Sequence, residues 1–335
     1  MGERQGLLES MSMWEDKNVF LTGGDGFIGS WIAKTLVEKG ANVTLIVRDL
    51  KTQPGYKLLG IENKVDIVIG DILNFDLLRR VVAEHSIDTC FHLAAQALVQ
   101  IATRSPLSTF ESNIKGTWNI MEACRQVETV QRIVVASSDK AYGVHEKLPY
   151  TEDSPLSGLY PYDASKACTD IIARSFFKSY NLPVAVTRNS NIYGGGDMNF
   201  GRIVPDTIKS VLTGKGLLIR SDGTPERDYM FVKDAVNAYL TLAENLDKKE
   251  VKGEPFNFGT ETPISVKDLV TKIAQVAGKP DLKPKILGQA KNEIDRQYLS
   301  TEKARKILGW KPEYSLDEGL KETIEWYKNY FSKAA

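Results

Sequence analysis

Cysteine is scarce in this chain, and its three copies exclude more than they suggest. Cys90, Cys124 and Cys168 are odd in number, far apart, and form no C-x-x-C pair. That pattern argues against a disulfide framework and a thiolate zinc site, so no metal is expected and a reducing compartment is. Net charge is missing too, because 43 Lys and Arg balance 43 Asp and Glu. No overall field draws the chain to nucleic acid or to an anionic membrane, and any anion it binds must be held by local groups. Long apolar runs are also lacking. The first 17 residues mix Glu, Arg and Asp with short apolar pieces, without the core of a signal peptide, and no later run reaches membrane-spanning length. They read as a frayed extension of a cytoplasmic protein. With 335 residues, 42% of them hydrophobic, the chain has material for one large domain or two unequal ones.

What is present is organised around Asn18 to Gly29, NVFLTGGDGFIG. Val19, Phe20 and Leu21 make a short apolar strand, Gly23 and Gly24 a turn, and Gly26 to Gly29 the start of a helix. The helix continues with apolar residues at Ile28, Ile32 and Leu36. A helix N-terminus leaves backbone N–H groups unpaired and carries partial positive charge, which suits a pyrophosphate. Glycines belong there because a Cβ would block the turn, the phosphates or the packing of helix on strand. The flanking strand and helix, with further strands after Gly40 and before Gly70-Asp71-Ile72, make this a dinucleotide site.

Up to about Arg188 strands and helices alternate, which favours a parallel sheet covered on both faces. Strands are expected at Val19 to Thr22, Val43 to Val47, Val65 to Ile69, Thr89 to Leu93, Arg132 to Ser137 and Val184 to Arg188. Helices are expected near Ile28 to Glu38, Phe75 to His85, Leu107 to Arg125 and Tyr162 to Tyr180. Beyond Arg188 the texture becomes short and Gly- and Pro-punctuated, with helices at Lys233 to Glu244, Ser265 to Ala277 and Thr301 to Leu308. Phe256-Asn257-Phe258-Gly259 again reads as a sheet strand. The expected architecture is α/β: a Rossmann-type, doubly wound parallel sheet over 17–188 plus about 229–262. A smaller, discontinuous C-terminal substrate lobe covers 189–228 and 263–330.

Two stretches carry candidate chemistry. Ser137-Ser138-Asp139-Lys140 ends the fifth strand, and Tyr160-Pro161-Tyr162-Asp163-Ala164-Ser165-Lys166 opens a helix. Tyr162 and Lys166 are four apart, so they share a helix face and can reach one point together. A cationic Lys166 beside the tyrosine would lower the phenol pKa and make Tyr162 a usable base, with Ser138 as a hydrogen-bonding partner. The second strand ends Val47-Arg48-Asp49. An arginine there pairs with a 2′-phosphate and favours NADP, or else stacks on adenine or faces water, so NAD and NADP both stand.

The spacing Gly23-x-x-Gly26-x-x-Gly29, with Ser138, Tyr162 and Lys166, resembles the extended branch of the short-chain dehydrogenase/reductase superfamily, the NAD-dependent epimerases and dehydratases. Simple 4-epimerases of that branch have small, uncharged residues after the catalytic Ser or Thr, and sugar-nucleotide 4,6-dehydratases have Asp-Glu. Asp139-Lys140 is most similar to the T-S-D-K-C-Y segment of CDP-glucose 4,6-dehydratases. His92 to Val99 and the run from Arg188 to Pro205 also look like that group.

The resemblance implies oxidation of a nucleotide-diphosphate hexose at C4, loss of water across C5 and C6, and return of hydrogen to C6. Asp139 would be the acid, while Lys140 replaces the usual glutamate base. A 4-epimerase, in which Asp139 and Lys140 are only an ion pair, and a non-catalytic dinucleotide sensor are the alternatives. By the same resemblance Gly23, Gly26, Phe27, Ile28, Gly29, Arg48, Asp71, Ile72, Ala94, Ala95, Gln96, Asn113, Tyr162 and Lys166 would hold the cofactor. Asn191, Arg202, Arg227, Asp295 and Arg296 would hold the nucleotide sugar, Arg227 foremost, because a guanidinium grips phosphate in a fork. A homodimer is implied through the Tyr162 helix and the preceding long helix. Ile171, Ile172 and Phe176, with Phe110, Ile114 and Met121, would supply apolar surface for the dimer or belong to the core.

Overall fold

The computed structural model describes residues 12–289 and 294–334. The chain runs β1 (Asn18–Thr22), α1 (Phe27–Glu38), β2 (Asn42–Val47), the single turn α2 (Gly55–Leu58), β3 (Asp66–Ile69), α3 (Phe75–Glu84) and β4 (Thr89–His92). Next come α4 (Val99–Arg104), α5 (Pro106–Phe110), a π-helical segment (Glu111–Lys115), α6 (Gly116–Arg125), β5 (Arg132–Ala136), a 3₁₀ turn (Asp139–Tyr142) and α7 (Pro161–Tyr180). The rest is β6 (Val184–Asn189), β7 (Asn191–Tyr193), α8 (Ile203–Thr213), β8 (Leu218–Ile219), β9 (Glu226–Arg227), β10 (Tyr229–Phe231), α9 (Val232–Glu244) and β11 (Pro255–Phe258). It closes with β12 (Ile264–Ser265), α10 (Val266–Val276), β13 (Lys285–Ile286), β14 (Arg296–Gln297), a second π-helical segment (Ala304–Leu308) and α11 (Leu316–Ala334).

Seven strands form one parallel sheet in the order β11-β6-β5-β4-β1-β2-β3. The inner strands are apolar almost throughout because both sheet faces are covered. Successive side chains then sort by face. Val19 and Leu21 pack with Ile32 and Leu36 of α1 and with α9. Phe20 and Ile46 pack on the other face with α3, α6 and Ala173 of α7. Strand β11 joins the sheet beside β6, so the chain returns to it after laying down β7 to β10. A further apolar cluster forms where Val204 and Ile208 meet Leu269, Ile273, Leu320, Ile324 and Tyr327, with Phe27 and Trp31 of α1 packed against it.

Several details differ from the reading of the sequence. The expectation that the first 17 residues fray lies outside the described residues up to residue 11, and it fails at Trp14. That indole is 1% exposed, and its Nε1–H donates to the Glu244 carboxylate at 2.7 Å. The helix expected from Leu107 starts one residue earlier, at Pro106, and contains the π-helical segment. Helices α4, α8 and α11 were not expected, although Leu320, Ile324, Tyr327 and Phe331 recur at helical spacing. Of the residues read as dimer surface or core, Met121 belongs to the core, since it faces the sheet from α6. Among the described residues no helix is long and apolar enough to cross a membrane.

Candidate active site

The glycine turn is held by contacts too close for any side chain. Gly23 has φ +74°, and a Cβ there would come within 2.9 Å of the Ala94 amide nitrogen. At Gly29 an added Cβ would sit 2.2 Å from the Gly23 carbonyl oxygen. Gly26 is the N-cap of α1 and brings no side chain to the end of the helix, whose first turn also lacks an acidic residue. The first amides of α1 therefore face the cleft with their partial positive charge, which fits a pyrophosphate.

Behind the turn, the Thr22 hydroxyl oxygen accepts from the Leu93 and Ala94 amides, each at 3.1 Å, and lies 2.8 Å from His92 Nδ1. With its acceptor side used twice, the hydroxyl donates to Nδ1. Nε2–H then donates to Thr117 Oγ1 at 3.1 Å, and that hydroxyl donates to the Asn113 carbonyl. Burial, and next the charge of Lys166, push the His92 pKa down to about 3, so this imidazole is a neutral strut. Asn113 lies in the π-helical segment. Its Oδ1 accepts from the Gln96 amide at 2.7 Å, and its Nδ2 donates to Ser165 Oγ at 2.8 Å. It therefore ties the floor of the cleft to α7 instead of lining the cleft.

Helix α7 begins with Tyr160 as an extended N-cap and Pro161 in the first turn, which places Tyr162 at its mouth and Lys166 one turn on. Ser165 Oγ donates to the Tyr162 carbonyl at 2.7 Å, and Ser137 Oγ donates to the Lys166 carbonyl at 3.1 Å. Further along, Asp170 takes a fork from Arg188 of β6, at 2.8 Å through Nε and 3.0 Å through Nη2. Arg188 Nη1 donates to Tyr142 Oη and to the Glu152 carbonyl. Both charges are buried, so α7 is pinned to the sheet.

Burial dominates the phenol, and the lysine bonds the backbone. Burial raises the Tyr162 pKa to about 12, against the pull of its hydrogen bond with Ser138. Lys166 Nζ instead donates to the Ala136 carbonyl at 2.7 Å, and burial lowers its own pKa to about 8. Ser138 Oγ donates to the Asp139 carboxylate at 3.1 Å and accepts from the Lys140 amide at 3.2 Å. Asp139 is 3% exposed. Lys140 Nζ donates to Gln297 Oε1, from strand β14. Burial also raises the neighbouring Asp163 to about 6, while the Lys140 charge holds it down and Asp139 pushes it up.

A single cleft of about 840 Å³ brings these groups together. It is lined by Ser138, Asp139, Lys140, Tyr162 and Lys166, by every expected cofactor residue except Asn113, and by Asn191 and Arg202. Arg202 Nη1 donates to Asp197 at 2.9 Å. Arg227 is half-buried on β9 outside that lining, and Nη1 donates to the Glu226 carbonyl. Asp295 and Arg296 are exposed, with Arg296 paired to Glu226 at 2.7 Å. The residue of that segment which turns inward is Gln297, fully buried. In the run Asp295-Arg296-Gln297-Tyr298 the sequence pointed to the two charged residues, and it is the pairing of β14 with β9 that carries Gln297 to the site.

Replacing Gly29 by Ala would press a methyl group into the Gly23 carbonyl. Such overpacking costs about 1–3 kcal/mol, which corresponds to a roughly ten- to hundredfold weaker Kd if it falls on the bound state. Titration of the variant with NAD, followed by protein fluorescence, checks this. Unchanged affinity would mean that the turn does not touch the cofactor.

The family model described as GDP-mannose 4,6 dehydratase matches residues 20–323. A CDP-glucose 4,6-dehydratase of Salmonella typhimurium is 32% identical over 333 residues, covering 95% of this chain and 92% of its own. The solved UDP-glucose 4-epimerase of Thermotoga maritima, with UDP-glucose, superposes with a TM-score of 0.86 at 30% identity, over 94% of this chain and 99% of the other. The dTDP-glucose 4,6-dehydratase of Bacillus anthracis, in complex with NAD, gives 0.83 at 27%, over 93% and 97%. The chain belongs to the extended short-chain dehydrogenase/reductases, in the NAD-dependent epimerase/dehydratase family.

Proposed function

We propose that the protein is a nucleotide-sugar 4,6-dehydratase, most like those acting on CDP-glucose. The observation that carries this is the place of Asp139 and Lys140. Chemistry at C4 alone needs the Ser138, Tyr162 and Lys166 set, whereas this cleft adds a carboxyl and an ammonium beside it. When bound, the nicotinamide dinucleotide supplies the oxidation at C4 and the matching reduction at C6. Tyr162 takes the C4 hydroxyl proton, and Ser138 bonds the same oxygen. Lys166 holds a positive charge near the phenol below its pKa of about 8, which favours the phenolate that burial opposes. The C4 ketone acidifies the C5 proton. Asp139 gives a proton to the departing C6 hydroxyl, and Lys140 takes the C5 proton, steadies the enolate as the ammonium so formed, and returns the proton to C5 as C6 is reduced. One water leaves, and no outside reductant is consumed.

The similarity to UDP-glucose 4-epimerases of known structure favours 4-epimerisation as the second reading. Purified protein incubated with CDP-, UDP-, dTDP- and GDP-hexoses separates the two by product mass. Loss of one water is expected, and an isobaric C4 epimer would reject the dehydratase. Asp139→Asn and Lys140→Met should slow water loss by about a hundredfold, as removal of an acid or base does, while C4 oxidation in a single turnover stays near wild type. Equal loss of both steps would deny those two residues their roles.

The resident cofactor in this reading is NAD. Arg48, the residue that favours NADP, sits at the rim of the cleft with its guanidinium on Asp49 at 2.8 Å. A 2′-phosphate would have to displace or approach that carboxylate. Thermal shift with each dinucleotide should show the larger stabilisation with NAD, and a larger shift with NADP would reverse the assignment.

The protein also pairs with a second copy in this reading. Trp118 on α6 and Ile171 on α7 are exposed apolar residues on helices that pack side by side. Ile171→Asp should convert a dimer to a monomer in light scattering, and a wild-type monomer would end the proposal.

A further inference from the structure

The two residues on which elimination depends, Asp139 and Lys140, meet the same side chain of the C-terminal lobe. Gln297 is fully buried, and both ends of its amide are engaged. Its Nε2 donates to the Asp139 carbonyl at 3.1 Å, and its Oε1 accepts from Lys140 Nζ. The segment carrying it is fixed on two sides. On one, β14 pairs in parallel with β9, placing Gln297 beside Arg227, and Arg296 pairs with Glu226. On the other, the Tyr150 amide donates to the Tyr298 carbonyl at 3.1 Å, and the Ser300 amide donates to the Tyr150 carbonyl at 2.8 Å. A primary amide in such a frame has little freedom. Its fixed oxygen restrains a long flexible side chain that would otherwise lose rotamer entropy each time it came into place.

We propose that Gln297 is a positioning residue for Lys140: it draws the lysine ammonium into the cleft beside Asp139 and ties its place to the strand pair that carries Arg227. The inference rests on the dehydratase reading for its consequence in catalysis, though the contact itself does not. An amide oxygen suits this task because it accepts from an ammonium without adding a charge. A carboxylate in the same place would bind the lysine and stabilise its protonated form. The arrangement makes the substrate lobe part of the elimination machinery, since Gln297 reaches the Asp139–Lys140 turn from 157 residues away along the chain.

The test uses the full chain with Gln297→Leu, Gln297→Glu and Lys140→Met. In a single turnover with CDP-glucose, C4 oxidation is read as the rise of reduced nicotinamide and elimination as the appearance of dehydrated product. Gln297→Leu should slow elimination about tenfold or more, the scale of a misplaced catalytic group, with KM and C4 oxidation close to wild type. Gln297→Glu, which keeps an acceptor, should recover most of that loss and shift the pH profile of elimination upward. In the Lys140→Met background Gln297→Leu should have no further effect. Equal slowing of both steps, failure of Glu to rescue, or a full effect without Lys140 would each overturn the proposal.

A second measurement needs no turnover. Acylation of Lys140 by an amine-directed reagent, followed by peptide mass, should be faster in Gln297→Leu, and an unchanged rate rejects the contact. If the wild type forms only a C4 epimer, the dehydratase reading falls, while the labelling result still decides on Gln297.

Discussion

The ion pair between Asp170 and Arg188 is the constraint on which the active site depends. Both groups are buried, and burial by itself would lower the Arg188 pKa, but the carboxylate outweighs it and the pKa is raised. Two charges out of water stay stable only when their hydrogen-bonding capacity is met. Here the guanidinium spends Nε and Nη2 on the carboxylate, spends Nη1 on Tyr142 and the Glu152 carbonyl, and lies 4.9 Å from the Tyr142 ring centroid. Removing one partner of such a pair typically costs about 3–5 kcal/mol. The pair fixes α7 against β6 in depth and rotation, and that decides where Tyr162 and Lys166 point.

Around this fixed helix the protein keeps polar groups in places where burial works against them. Lys166 is pulled down to about 8, Tyr162 up to about 12 and Asp163 up to about 6, all first by loss of water. Each value moves toward easier proton exchange for the lysine and the acid, and away from it for the phenol. The phenol therefore depends on positive charge brought by its neighbours. The neutral His92 and the hydroxyls of Thr22 and Thr117 form the opposite kind of network, with donors and acceptors matched. It holds the glycine turn rigid without titrating near neutral pH.

The C-terminal segments do more than cover the cleft. Their apolar cluster shares Trp31 and Ile192 with the core of the sheet, and two segments reach back. Trp31 of α1 donates through Nε1 to the Gly195 carbonyl at 2.7 Å, and Trp326 of α11 packs against Gly195 where a Cβ would collide with its ring. Residues 295–300 run between β9 and the loop after the 3₁₀ turn. The lobe is thus joined to the sheet on both sides of the site, and Asp197, which holds Arg202, is itself placed by this packing, with Tyr327 donating to its carbonyl at 2.5 Å.

The alternation of strand and helix, the turn at Gly23 to Gly29, and the shared face of Tyr162 and Lys166 followed from the sequence by itself. Each depends on spacing within one or two elements, where periods of 2 and 3.6 and the absence of a Cβ leave few choices. Legibility ended where partners are distant in the chain. That Met121 faces the core while Ile171 stays outside, that Trp14 closes the sheet, and that Lys166 bonds a carbonyl were decided by packing. Gln297 is the clearest case, because nothing local distinguishes a glutamine after Asp295-Arg296 from a surface residue. Only the pairing of two-residue strands brings it to Lys140, and pairing between such short strands is set by tertiary packing, which sequence periodicity does not carry.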